Sequence, residues 1–183
     1  MIEYRKAKKQ HIRKLSEMIA ETSVEFYEYL LSEKDLSIYD YSYEVSLGTD
    51  LSRYTDVALL EDKVLAMAFS YDSKYHIINE KMRESFSPNI LNGLKECYEN
   101  VIEDTLFLDS LFVAKEHRKK GIAKKLLSIV FDDARKNGLN GVSLFTLVKN
   151  KNAVNLYKNF GFSIENTFNL VPFEKAYLFY KKV

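Results

Sequence analysis

The stretch "HRKKGIAKKLL", His117 to Leu127, sets five cations around one glycine and then turns apolar. Three partners would suit such a run: a nucleic-acid backbone, an anionic membrane surface, or a phosphate-bearing ligand at a helix start. The segment follows "TLFLDSLFV", a run of Leu and Phe that reads as a strand, and it opens an amphipathic stretch that reads as a helix. Backbone N–H groups in the first turn of a helix lack helical partners, and the helix dipole adds partial positive charge there, which makes an anion site. Gly121 lets a ligand approach the backbone closely and Ala123 keeps the next turn open, while Arg118, Lys119, Lys120 and Lys124 can add charge-assisted contacts to phosphate oxygens. A pyrophosphate fits this description. The three-glycine dinucleotide fingerprint and the Walker A pattern GxxxxGK[ST] are both absent. Spacing alone leaves a second reading equally open, a solvated basic helix face, although cations at a helix start oppose the dipole.

The rest of the chain limits what those cations are for. At 183 residues and 46% apolar, the sequence predicts one globular domain over residues 1–183. Net charge is only +1, and because six Lys and Arg stand against Glu116 between Lys115 and Lys125, the remainder is net negative. A general nucleic-acid binder shows a basic surplus spread along a face, so no nucleic-acid partner is expected. No window reaches the roughly 18 to 20 apolar residues of a membrane span, and "MIEYRKAKKQH" has no apolar stretch behind its charges. A cytoplasmic protein with no membrane partner is the expectation. Cys97, the single cysteine, sits in "LKECYEN" without a CxxC partner, so packing is its expected role, and neither a disulfide nor a metal is expected.

The pattern of elements places the basic segment inside a β-α-β unit. "IEYRKA" reads as a first strand, followed from Lys9 to Ser32 by apolar residues at helical spacing, as two helices or one broken helix. "TDVALLED" and "KVLAMAFSYD" read as strands turning at Glu61-Asp62-Lys63. Ser87-Pro88 starts a helix running to about Asn100. Then come the strand "TLFLDSLFV", the helix "KKGIAKKLLSIVFDDARKNG", the strand "GVSLFTLV" and the helix "NKNAVNLYKNFG", and two strands close the chain, "FSIENTFNL" and "KAYLFYKKV", expected to pair antiparallel. The expected class is α+β: a mixed, mostly antiparallel central sheet of about seven strands with helices on both faces.

At this point the residues take on a familiar form. Arg118-Lys119-Lys120-Gly121-Ile122-Ala123 resembles the R/Q-x-x-G-x-G/A signature of the GNAT superfamily of acyl-CoA-dependent N-acetyltransferases. "LFLDSLFV" before it is similar to the family's fourth strand, and "NKNAVNLYKNFGF" after it to the family's N-x-x-A-x-x-L-Y-x-x-x-G-F segment. The resemblance implies acetyl-CoA as cosubstrate and a GNAT-type fold. It implies that Leu111, Phe112 and Val113 offer backbone groups to the pantetheine arm and that Arg118 to Ala123, namely Arg118, Lys119, Lys120, Gly121, Ile122 and Ala123, cradle the pyrophosphate, with Lys124 adding charge. Asn150 and Ala153 would flank the pantetheine, and Tyr157 would sit near the thioester sulfur. One departure stands out: residues 73–104 form a long connection with its own helix in place of a short turn, and covering the acceptor site, mediating a homodimer, or doing neither all stay open for it.

Acetyl transfer to an amine has two proton problems. An alkyl amine of pKa about 10.4 is almost wholly protonated at neutral pH, and freeing its lone pair there costs roughly 4 kcal/mol. The departing thiolate benefits from a proton donor, and a phenol of pKa about 10 can supply one. Tyr157 suits the second task; Asp109, in the matched strand where the family often has an acidic residue, suits the first as a base through water or as an ammonium anchor. Pairing with a neighbour, or pointing to solvent where the sheet splays, is the other reading of Asp109. Glu17, Glu21, Glu25 and Glu28 recur at helical spacing beside Tyr27, Tyr29, Tyr39, Tyr41 and Tyr43, a wall that would suit a cationic amine or serve as a solvated face. A small-molecule amine is thus preferred as acceptor over a peptide or protein N-terminus or lysine, and a non-catalytic acyl-CoA-binding module is the reading from another class.

Overall fold

A computed structural model gives the structure of the chain and describes residues 1–170 and 174–183. The chain divides into two compact units, residues 1–71 with 108–133, and residues 72–107 with 134–183. Strand β4 (Thr105–Val113) and helix α6 (Ile122–Lys136) each contribute residues to both.

In the first unit, β1 (Glu3–Lys6) pairs antiparallel with β2 (Thr55–Leu60), and β2 pairs antiparallel with β3 (Lys63–Asp72). The β2–β3 turn falls at Glu61 and Asp62, both at positive φ, as the sequence predicts for a tight hairpin. Between β1 and β2 lie α1 (Ile12–Thr22), α2 (Val24–Leu30) and α3 (Ile38–Gly48). The chain breaks between α1 and α2 at Ser23, whose backbone leaves the helical region. Leu15, Met18 and Ile19 of α1 bury against Val57, Leu59 and Met67 of the sheet, with Phe112 of β4 packed on the same cluster. Burial of this kind is worth about 1.5–3 kcal/mol for each large apolar side chain. Lys6 links the sheet to α6 through Asp56 (2.9 Å) and Asp133 (2.6 Å). Burial opposes the charge on Lys6, but the two carboxylates outweigh it and hold its pKa above the usual value.

In the second unit, the start of β4 pairs parallel with β5 (Gly141–Leu147), from Thr105↔Gly141 to Phe107↔Ser143. Strand β7 (Glu174–Lys182) lies antiparallel between β5 and β6 (Ser163–Leu170), as expected for the closing pair. Through β4 the strand order is β1-β2-β3-β4-β5-β7-β6, a seven-stranded, mostly antiparallel sheet. The long connection holds two helices where the sequence suggests one, α4 (Glu80–Ser85), capped by Asn79, and α5 (Pro88–Glu99), capped by Ser87. Helix α5 is built into the core. Its Cys97 is buried with Phe168, Ala176 and Leu178, and Glu96 accepts a hydrogen bond from the Asn169 amide at 3.0 Å.

The same connection buries His76, stacked on Tyr98 at 4.6 Å and packed against Phe107 and Phe145, with Nε2 donating to the Cys97 carbonyl at 3.3 Å. Burial lowers its pKa to about 4, so the ring is neutral in the folded chain. A neutral buried imidazole binds fewer protons than its unfolded counterpart, so stability is full above pH 6.5 and is lost as pH falls toward 4. Urea denaturation across that window should show an acid-side loss of up to about 3 kcal/mol that is absent from His76→Phe. Parallel pH curves for the two proteins would contradict this assignment.

Candidate functional site

In the first unit, β4 ends at Val113 and the chain turns through a 3-10 segment, Lys115–His117, before α6 begins at Ile122. Lys119 takes φ of 62° and Gly121 φ of 79°, so neither extends the helix, which starts later than the predicted Lys119-Lys120. The first helical bond runs from the Lys125 amide to the Gly121 carbonyl at 3.1 Å. The amides of Gly121, Ile122, Ala123 and Lys124 therefore have no helical acceptor, and no other acceptor holds them among the described residues. A Cβ placed on Gly121 would meet nothing within 4 Å, so the chain is open to a ligand at that residue. Ile122 is buried and anchors the turn, while Arg118, Lys119, Lys120 and Lys124 are exposed around it. This arrangement can hold an anion with two or more oxygens.

Arg118 also has a structural task. Its Nε donates to the Val113 carbonyl at 2.9 Å, closing the loop between strand and helix, and the Ala114 amide bonds Leu65 at 2.9 Å. One acceptor site of Val113 is thus already used. The parallel ladder on β4 ends at Phe107, so Leu111, Phe112 and Val113 take no part in it.

Asp109 lies on the same strand. One carboxylate oxygen, Oδ1, accepts from the Ser110 hydroxyl at 2.8 Å, and the other, Oδ2, from the Tyr71 hydroxyl of β3 at 3.2 Å. Asp109 is exposed, and the protein packed around its carboxyl group still removes part of its water. Enclosure pushes its pKa above the ordinary carboxylate range, and the two hydroxyls hold it back. Tyr27 of α2 faces this charge: burial first, then Asp109, raises the Tyr27 phenol. Tyr41 meets Tyr27 edge-on at 6.2 Å. Tyr71 and Ser110 are absent from the sequence expectation for this site, since nothing in local spacing marks a cross-strand hydroxyl, whereas Tyr27 and Tyr41 belong to the expected aromatic wall. The glutamate stripe does not form one continuous face, because the break at Ser23 puts Glu17 and Glu21 on α1 and Glu25 and Glu28 on α2. Glu17 pairs with Lys14 at 3.1 Å and with Arg13, the behaviour of a solvated face.

In the second unit, helix α7 (Lys151–Phe160) starts at Asn150, whose side chain accepts from the Ala153 amide at 3.1 Å. That cap is reason enough for an Asn at this position. Gly161, at φ 94°, ends the helix. Tyr157 sits on the buried face, its ring against Phe162 (5.6 Å) and Phe179 (5.8 Å). Burial pushes its phenol upward, so it carries its proton at neutral pH. The structure therefore assembles Asp109 and the residues from Leu111 to Lys124 in one unit, and Asn150, Ala153 and Tyr157 in the other.

The sequence profile described as the Acetyltransferase (GNAT) family matches residues 15–162, most of the chain and all of the turn just described. The chain belongs to the GNAT acetyltransferase family. Among curated relatives, Probable N-acetyltransferase 14 of Xenopus tropicalis is 30% identical over 79 residues, 43% of this chain, and the chain spans 38% of that relative's length. An N-acetyltransferase from Staphylococcus aureus Mu50 superposes with a TM-score of 0.77 over 98% of this chain and 100% of its own, at 18% identity. The NatC complex, solved with Gag peptide and CoA, superposes at 0.61 over 100% of this chain and 98% of its own, at 19% identity. At those identities the two structures share the fold. Among the described residues no group of three or more His, Cys, Asp or Glu is placed to hold a metal ion, and no helix is long and apolar enough to cross a membrane.

A glutamate at Gly121 would set a carboxylate beside the four amides. Gly121→Glu should weaken CoA binding by at least ~100-fold, about 2.7 kcal/mol in calorimetry, with the fold retained by circular dichroism. Unaltered affinity would place the anion site elsewhere.

Proposed function

We propose that the chain is an acetyl-CoA-dependent N-acetyltransferase that acts on a primary amine by direct attack in a ternary complex. The observation that carries the reading is the set of four unpartnered amides from Gly121 to Lys124, open to a ligand at Gly121 and inside the segment that matches the family. On this reading those amides, with Lys119, Lys120 and Lys124, bind the CoA pyrophosphate, and the backbone of Leu111 to Val113 runs alongside the pantetheine arm. Asn150 and Ala153 flank that arm from the start of α7.

Asp109 receives a proton from the incoming ammonium, directly or through water. A carboxylate whose pKa the surrounding protein has raised is a better proton acceptor than one at the ordinary value, and the Ser110 and Tyr71 hydroxyls that donate to it favour its ionised form. The freed amine nitrogen attacks the thioester carbonyl, the carbon–sulfur bond breaks, Tyr157 gives its phenolic proton to the departing thiolate, and the second proton shed by the new amide nitrogen returns through water to the phenolate. A buried, neutral phenol suits that task. The amine anchor is one carboxylate amid Tyr27, Tyr41 and Tyr71, which favours a compact cation over a long peptide. A cytoplasmic setting is part of the same proposal.

A panel of primary amines and peptide N-termini, assayed by CoA thiol release from acetyl-CoA, tests the acceptor class. Turnover should be highest with small monoamines, and exclusive use of peptides would overturn that preference. Tyr157→Phe should lower kcat by ~100-fold or more while leaving CoA affinity in place. An unchanged kcat would remove Tyr157 from the reaction.

A further inference from the structure

We propose that Tyr71 is a positioning residue for the reaction: its hydroxyl, reaching across from β3, pins the Asp109 carboxylate in the plane in which it meets the acceptor amine. The inference rests on the reading of Asp109 as proton acceptor and adds to it a residue that none of the sequence motifs marks. An aspartate χ2 is a broad, roughly two-fold torsion, so an isolated carboxylate at a site open to solvent would swing. Here each oxygen has its own donor, Ser110 on Oδ1 at 2.8 Å and Tyr71 on Oδ2 at 3.2 Å. Two donors on opposite oxygens fix the plane of the group. They use only part of its acceptor capacity, because an ionised carboxylate offers about four lone-pair sites.

Tyr71 is itself well held. It belongs to the ten-residue strand Lys63–Asp72, and its ring lies 5.3 Å from that of Phe69. Phenylalanine at position 71 would keep this packing and remove one oxygen. The groups bearing on Asp109 are few: Tyr71 from β3, Tyr27 from α2, Ser110 from its own strand, and Thr22 of α1, whose hydroxyl lies 3.4 Å from that of Ser110. Among the described residues no lysine, arginine or histidine contributes to its titration. The ionised form is therefore supported by hydroxyl donors alone, and deleting one should move the titration of Asp109 to higher pH.

Side-chain 13C NMR of aspartate-labelled protein, with the Asp109 signal assigned by its loss in Asp109→Asn, reads that titration without any acceptor. The midpoint should move to higher pH in Tyr71→Phe, and the acid limb of kcat/KM for acetyl transfer to the best monoamine of the panel should move with it. A midpoint that stays put in Tyr71→Phe, with Asp109→Asn inactive, overturns the role of Tyr71 and leaves Asp109 as base. Full activity in Asp109→Asn overturns the base itself, and with it any catalytic meaning of Tyr71, whatever the NMR midpoint does.

Discussion

The passage from β4 into α6 must leave four amides facing outward, and this requirement organises much of the first unit. A helix start with unsatisfied donors is costly when sealed in protein and useful only when it opens on space. Several fixtures hold it open. Gly121 supplies a left-handed backbone that a side chain would strain, Ile122 fills the core immediately behind, and Arg118 ties the loop to Val113. Farther along the helix, Asp133 is drawn to β1 by Lys6, which also holds the buried Asp56 of β2. The turn is thus held at both its strand and its helix side, and it does not depend on its exposed lysines for shape.

Asp109 and Tyr157 are shifted in the same direction by the same cause, and the proposed reaction gives them complementary tasks. Burial disfavours charge, so it raises a carboxylic acid and a phenol alike. For Asp109 that makes the ionised form more willing to take a proton, with the Ser110 and Tyr71 hydroxyls acting against the rise. For Tyr157, packed against Phe162 and Phe179, it keeps the proton on the phenol. His76, buried among Tyr98, Phe107 and Phe145, moves the opposite way because its charged form is the protonated one.

Much of this was legible in the sequence wherever one face of an element is apolar. "TLFLDSLFV" is β4 to the residue, the hairpin turns at Glu61 and Asp62, and Ser87 caps the helix that begins at Pro88. Helix α3 was not legible, because the side it buries carries Ser42 and Ser46, bonded to the carbonyls of Ser16 and Ser42, while Tyr39, Val45 and Leu47 are exposed. Hydrophobic periodicity is inverted there and gives no signal. The start of α6 was placed a turn too early since charge density says nothing of a positive φ at Lys119. The place of Gly121 just before a helix and of Asp109 within β4 could be read from motif and order, whereas Tyr71 and Tyr27 reach Asp109 only through tertiary packing.

The central claim is that the backbone amides at the start of α6 hold the ligand's phosphates, and an amide-resolved measurement addresses it most directly. In a 15N–1H NMR titration of the labelled protein with CoA, the signals of Gly121, Ile122, Ala123 and Lys124 should move together and saturate at one equivalent site. Saturable CoA binding that leaves those four signals where they were would contradict the account.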